Sequence, residues 1–329
     1  MAAPIWVADA YVLVVGACVG SFVNVVIARL PHGKSLVSPP SSCPRCGARI
    51  AWRDNVPILS WLLLRGRCRH CARPISGRYP VVELLTALLI FAVWRRYGAH
   101  WETLGYAAFA SALIALTYID LDTWLLPHEI TWPLLVAGLL SPLWNPSVHW
   151  PDALLGAAAG FALFGSIALV GDKLLHKEMM GWGDVWLLAG IGAWLGWKAL
   201  LPVVLFSAVQ GSAVGAVLLA VGHGPSDGAR TRASDAAPLP ASGSPTAEVT
   251  PGELDDAAAR DDDRSPAPTW YSGQPPTEQP PHAPDEEDWI PPPHAVPFGP
   301  FLALAALEVL LAGDALWTWY FDAFQRLFG

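Results

Sequence analysis

The chain has 329 residues, 53% of them hydrophobic and only 15% charged, with 17 tryptophans and a mean hydropathy of +0.38. A soluble domain of this size carries roughly 25% charged residues, so the composition argues against an ordinary soluble enzyme and for a polytopic membrane protein. The formal net charge of −8 does not describe a globally acidic surface, because residues 222–293 hold 14 acidic and 4 basic side chains and the remainder is close to neutral.

In chain order, apolar runs predict spans at about 6–28, 81–97, 103–121, 130–145, 153–172, 185–197, 199–221 and 298–320. The expected fold class is therefore an all-α polytopic membrane protein of about eight transmembrane helices, carrying a small zinc-binding loop domain. The first run, Ile5 to Ala28, lacks a basic n-region and a clear small-residue cleavage site, so it reads as a retained span rather than a removed signal peptide. The sixth is short for a crossing, which needs about 20 helical residues, unless it is tilted or continuous with Gly181–Asp184. The loop from Arg29 to Tyr79 holds ten of the Lys and Arg residues and a single acid, Asp54. By the positive-inside rule that loop is cytoplasmic and the N-terminus lies outside. Counting crossings puts 121–129, 173–184 and 222–297 on the cytoplasmic side too. Arg95 and Arg96 fall on the wrong side of this scheme.

The basic loop contains "CPRCGARI" and "CRHCARPI", a CxxC–x21–CxxC pattern of Cys43, Cys46, Cys68 and Cys71. Two thiolates on a tight turn reach one Zn²⁺, and two such turns close a tetrahedral Cys₄ site. A closed four-thiolate shell leaves no position for substrate, so the expected zinc is structural. Arg45, Arg67 and Arg69 would offset the thiolate charge. Cys18, alone in the first span, reads as a small packing residue.

The third span ends "ALIALTYIDLDTWLLPHEI", with Asp120 and Asp122 at its cytoplasmic end. On a helix these two point about 200° apart, so they cannot both line one small pocket. Two crossings later comes "MGWGDVWLLAG", with Asp184 behind Gly181 and Gly183. An even number of crossings returns Asp184 to the membrane face of Asp120. Two close carboxyl groups share one proton, the arrangement that aspartic-peptidase chemistry uses. The glycines flanking Trp182 would let an extended peptide approach. The competing account is simple helix capping, since an acid in a first turn is favourable in any case. Intramembrane acids also serve proton relays and ion paths.

Six stretches in order, "GSFVNVVIARLP" (20–31), the two CxxC pairs, "GRYPVVELLTALL" (77–89), "YIDLDTWLLP" (118–127), "GWGDVWLLAGIGAWLGW" (181–197) and "VPFGPFLALAAL" (296–307), resemble the prepilin peptidase family of GxGD-type membrane aspartic peptidases. The resemblance covers nearly all of the chain except 222–297. It implies catalytic aspartates at Asp120 and Asp184, with Asp122, Gly181 and Gly183 in support, and metal ligands at Cys43, Cys46, Cys68 and Cys71. It further implies cleavage of the basic leader of a type IV prepilin or type II secretion pseudopilin, after a glycine, at the cytoplasmic face of the bacterial inner membrane. Many members also methylate the new N-terminus with S-adenosylmethionine, and Asn24 and Glu83 are the weak candidates for that role. Otherwise Asn24 reads as an interhelical hydrogen bond and Glu83 as a helix-start acid facing interfacial water. Where the family usually has Asp after "LLP" this chain has His128 then Glu129, and where it has a basic residue two positions beyond GxGD this chain has Trp186. Glu308 matches no motif and is expected to face the bundle interior.

The expected organisation is a first span (1–28), a Cys₄ loop domain (29–79), a peptidase core (80–221), a disordered acidic Pro/Ala-rich insert (222–297) and a last span with the C-terminus (298–329). The expected partners are the substrate proteins and membrane lipid. No basic–aromatic pattern suggests nucleic acid. A non-catalytic scaffold of a pilus or secretion machine and a proton-coupled transporter are the alternatives. A transporter would place its acids near the bilayer midplane, whereas these sit at span ends.

Overall fold

A computed structural model describes residues 5–175, 180–220 and 296–328. The chain divides into two units, 1–217 with 296–329, and 218–295. Of the second, only 218–220 are described, and they complete a helix. The acidic insert expected over 222–297 thus falls almost wholly outside the described residues.

The described residues of the first unit are helical apart from loops and two isolated β-bridges. The helices are α1 (Ile5–Arg29), a short α2 (Leu59–Leu63), α3 (Arg78–Tyr97), α4 (Trp101–Thr123), α5 (His128–Leu140), α6 (Trp150–Val170), α7 (Trp182–Leu195), α8 (Leu200–Ala220) and α9 (Gly299–Phe328). Leaving aside α2, each coincides with one expected span. Four segments, containing α1, α4, α6 and α8, are long and apolar enough to cross a membrane, and Gly299–Gly313 is a shorter apolar stretch. α5 has 13 residues and α7 has 14, so at 1.5 Å per residue each is only about 20 Å long. α7 begins at Trp182 and therefore carries the Gly183–Asp184 pair in its first turn.

Small residues let the helices approach closely. Gly16 and Gly20 on α1 lie against the backbone of Ala87 and Glu83 on α3, where an added Cβ would stand 2.8 and 2.7 Å from the respective Cα atoms. Gly156 and Gly160 on α6 meet the carbonyls of Gly192 and Leu188 on α7 in the same way. Each pair has the four-residue spacing that puts both glycines on one helix face. A core of Phe109, Leu113, Leu116, Leu187, Leu188, Ile191 and Leu302, all fully buried, joins α4, α7 and α9. A second cluster, with Val23, Val82 and Ile119, joins α1, α3 and α4.

Several side chains depart from their sequence expectations. Cys18 is exposed on α1 rather than packed, because Gly16 and Gly20 take the contact face. Glu83 is buried, not facing water, and accepts a 2.7 Å hydrogen bond from the Ile58 N–H. Asn24 makes the expected interhelical bond, donating to the Tyr79 carbonyl at 3.0 Å. Arg95, anomalous in the charge pattern, pairs with Asp9 of α1 at 3.0 Å. Glu308 accepts a 2.7 Å bond from the Gln210 side chain on α8.

Candidate active site

Asp120 lies on the last turn of α4 and is 5% exposed. α4 stops because Trp124 adopts a left-handed conformation (φ +57°), its N–H donating to the Asp120 carbonyl at 2.9 Å. A non-glycine residue in that region is strained, and such strain collects at functional turns. The chain then reverses through Leu125, Leu126 and Pro127 into α5. Asp122, two residues on from Asp120, is exposed and pairs with Arg78 at 2.7 Å. The two acids thus face apart, as helical geometry requires.

Asp184 occupies the first turn of α7 and lies within electrostatic reach of Asp120. Its Oδ1 is buried without a hydrogen-bond partner among the described residues. An orphaned buried oxygen is costly and marks a place where a ligand or water would bind.

Leu126 is a neighbour common to the surroundings of both acids. A Cβ added to Gly183 would stand 2.7 Å from Leu126 Cβ, and one added to Gly299 would stand 3.4 Å from Leu126 Cδ1 and 2.5 Å from Asp120 Oδ2. The Gly299 N–H, at the start of α9, also donates to the Asp120 carboxylate. A side chain at Gly183 would therefore crowd Leu126. Gly181 is different, for its Cβ would find only Asp184 Oδ2, at 3.6 Å. Leu126 and Gly299 were not singled out by sequence, although "LLP" and "VPFGP" contained them. Nothing local announces that a glycine near residue 300 will face an aspartate on α4.

Trp186 is not isolated beside Asp184. Its ring lies 5.7 Å from Trp132 of α5 and 5.0 Å from Phe161 of α6, and His128 stacks 5.7 Å from Trp132. The two positions that depart from the family pattern thus belong to one aromatic row across α5, α7 and α6.

The four loop cysteines also come together. Their Sγ atoms all lie within 4.8 Å of one another, and Cys43 and Cys71 are 3.9 Å apart. Tetrahedral thiolates at 2.3 Å from a zinc ion are about 3.8 Å from each other, so the group fits a metal ion. The two turns repeat one design. The Cys43 N–H donates to the Ala48 carbonyl and the Cys68 N–H to the Arg73 carbonyl, both at 2.9 Å, with left-handed Gly47 and Ala72 closing the respective turns. N–H groups of Arg45 and Cys46 pull the Cys43 thiol down to about 6, and those of Cys71 and His70 lower Cys68. Arg69, expected to offset thiolate charge, instead forms a two-pronged pair with Asp54 at 2.6 and 2.8 Å. That pairing holds the Asp54 carboxyl below its ordinary range.

Asn24 and Glu83 are each engaged in the internal hydrogen bonds given above.

Comparison with known proteins identifies the family. Residues 14–97 match the Bacterial Peptidase A24 N-terminal domain, and residues 107–216 match the Type IV leader peptidase family. A prepilin leader peptidase/N-methyltransferase of Myxococcus xanthus (strain DK1622) is 44% identical over 323 residues, 93% of this chain and 90% of that protein. Proteins of the same description from Aeromonas hydrophila and Burkholderia pseudomallei (strain K96243) are 43% and 40% identical, over 65% and 63% of this chain and 82% and 75% of their own lengths. No solved structure matches. The chain belongs to the type IV leader peptidase family.

Proposed function

We propose that this protein is a membrane aspartic endopeptidase that removes the basic leader of a type IV prepilin or type II secretion pseudopilin after a glycine. The observation that carries the proposal is the convergence of Asp120 and Asp184, from helices far apart in sequence, on the Leu126–Gly183–Gly299 contact, with one buried oxygen of Asp184 left unpartnered.

Such a pair holds one shared proton. The ionised carboxylate removes a proton from a water molecule, and the water oxygen bonds to the scissile carbonyl carbon. The protonated carboxyl gives its proton to the carbonyl oxygen as the tetrahedral intermediate forms. On collapse one hydroxyl of the tetrahedral diol gives its proton to the ionised carboxylate and becomes the new carbonyl, the C–N bond breaks, and the leaving nitrogen takes a proton from the acid, so the pair is left with its single proton. Asp122 supports the site from outside through Arg78. Gly183 supports it by admitting Leu126, and Gly181 as the residue preceding α7.

The cysteine cluster suits a structural zinc, which would fold the 29–79 loop beside the membrane rather than take part in hydrolysis. Methylation of the new N-terminus with S-adenosylmethionine is proposed from the relatives' names alone. We place the protein in the bacterial inner membrane, N-terminus outside and catalytic face cytoplasmic. The domain limits are those read from the sequence, 1–28, 29–79, 80–221, 222–297 and 298–329. The basic loop would also attract anionic lipid.

The test is cleavage of a prepilin by detergent-solubilised wild-type, Asp120→Asn and Asp184→Asn proteins, read as the mass of the product's N-terminus. Cleavage after the leader glycine by wild type, and none by either folded variant, is the expected result. Normal cutting by either variant would sink the two-aspartate mechanism. An added methyl mass that depends on S-adenosylmethionine would establish the second activity.

A further inference from the structure

Arg78 is the first residue of α3, placed where the chain leaves the second cysteine turn. Its guanidinium makes three contacts with the end of α4. Nη1 donates to Asp122 Oδ1 at 2.7 Å, Nη2 donates to the Tyr118 carbonyl at 3.2 Å, and the group lies 4.7 Å from the centre of the Tyr118 ring. Tyr118 and Asp122 stand two residues either side of Asp120. The last turn of α4 contains no basic residue of its own, and a cation at a helix C-terminus is favourable. Arg78 supplies that cation from a neighbouring helix. The Trp124 cap holds the same turn from its far side.

We infer that Arg78 is a positioning residue for the peptidase reaction: it clamps the last turn of α4, sets where the Asp120 carboxyl points, and ties the cysteine loop to the catalytic end of that helix. This rests on the assignment of Asp120 as catalytic. The pair is partly exposed, with side chains 36% and 43% accessible, so its contribution to overall stability is small and its effect falls on geometry. Lysine would keep the ion pair with Asp122 but not the planar fork that also reaches the Tyr118 carbonyl.

The experiment measures prepilin cleavage by wild type, Arg78→Ala, Arg78→Lys, Arg78→Ala/Asp122→Ala and Asp120→Asn, with the metal content and melting temperature of each. Arg78→Ala is expected to lower kcat about five- to tenfold, with KM changed less than about twofold. Arg78→Lys should recover part of the loss, and the double variant should be no slower than Arg78→Ala. A wild-type kcat for Arg78→Ala, with Asp120→Asn inactive, overturns the role of Arg78 and leaves the aspartate pair standing. A fall in kcat matched by loss of metal or melting temperature, with no recovery in Arg78→Lys, also overturns it, because the residue would then be structural only. Activity in Asp120→Asn instead removes the catalytic assignment on which the role depends.

Discussion

The two glycines flanking Trp182 look equivalent in sequence, and alanine substitution separates them. At Gly183 the new methyl carbon would stand 2.7 Å from Leu126 Cβ. Ordinary carbon contacts are about 3.5–4.0 Å, so one side must retreat by roughly 1 Å. Both atoms are Cβ carbons fixed by backbone, and no rotamer change relieves them. Leu126 also faces Gly299, whose N–H bonds the Asp120 carboxylate, so the retreat is transmitted towards the second acid. Overpacking of this kind costs about 1–3 kcal/mol, and a displacement of that size at reacting groups costs on the order of 100-fold in rate. At Gly181 the methyl meets only Asp184 Oδ2, at 3.6 Å, and the backbone φ of −67° suits alanine. Only the cap preference is lost, about 1 kcal/mol at most. Steady-state cleavage of a detergent-solubilised prepilin should therefore show kcat/KM about 100-fold down for Gly183→Ala and within about fivefold of wild type for Gly181→Ala. Equal losses at the two positions, or full activity in Gly183→Ala, would refute the contact between α7 and the α4–α5 turn as the reason for the glycine.

Gly156→Ala drives a methyl into the Gly192 carbonyl on α7 and should prevent stable folding, read as loss of the monodisperse detergent peak, whereas Gly215→Ala, which meets nothing within 4 Å, should elute like wild type. Trp186→Ala removes ring contacts to Trp132 and Phe161 and should cost about 0.5–1.5 kcal/mol per pair beyond lost area. Trp186→Phe should keep most of it in a thermal melt. Elemental analysis should find one zinc per chain in wild type and in Cys18→Ser, and little in Cys43→Ser. Cysteines placed one at a time at the exposed Ser35 and Ser147, each compared with a Cys18→Ser parent that keeps the four loop cysteines, should add label over that parent from opposite sides of the membrane, Ser35 from the cytoplasm. Labelling from one side would overturn the topology.

Sequence alone determined the helical class, the order of the apolar helices, the cysteine group and the two acids. Each of these is written locally, in runs of apolar residues, in CxxC spacing or in acids at the ends of apolar runs. Helical periodicity even separated Asp120 from Asp122, since residues two apart on a helix cannot share a face. The tertiary structure decided what periodicity and spacing cannot encode. Gly183 makes room for Leu126, Gly299 hydrogen-bonds Asp120, Glu83 is buried beneath Ile58, and Arg69 serves Asp54 rather than the thiolates. Arg78, inside a quoted motif but given no role there, reaches a helix 40 residues away. All of these are contacts between segments distant in the chain, and they exist only once close packing has fixed which faces of the helices meet.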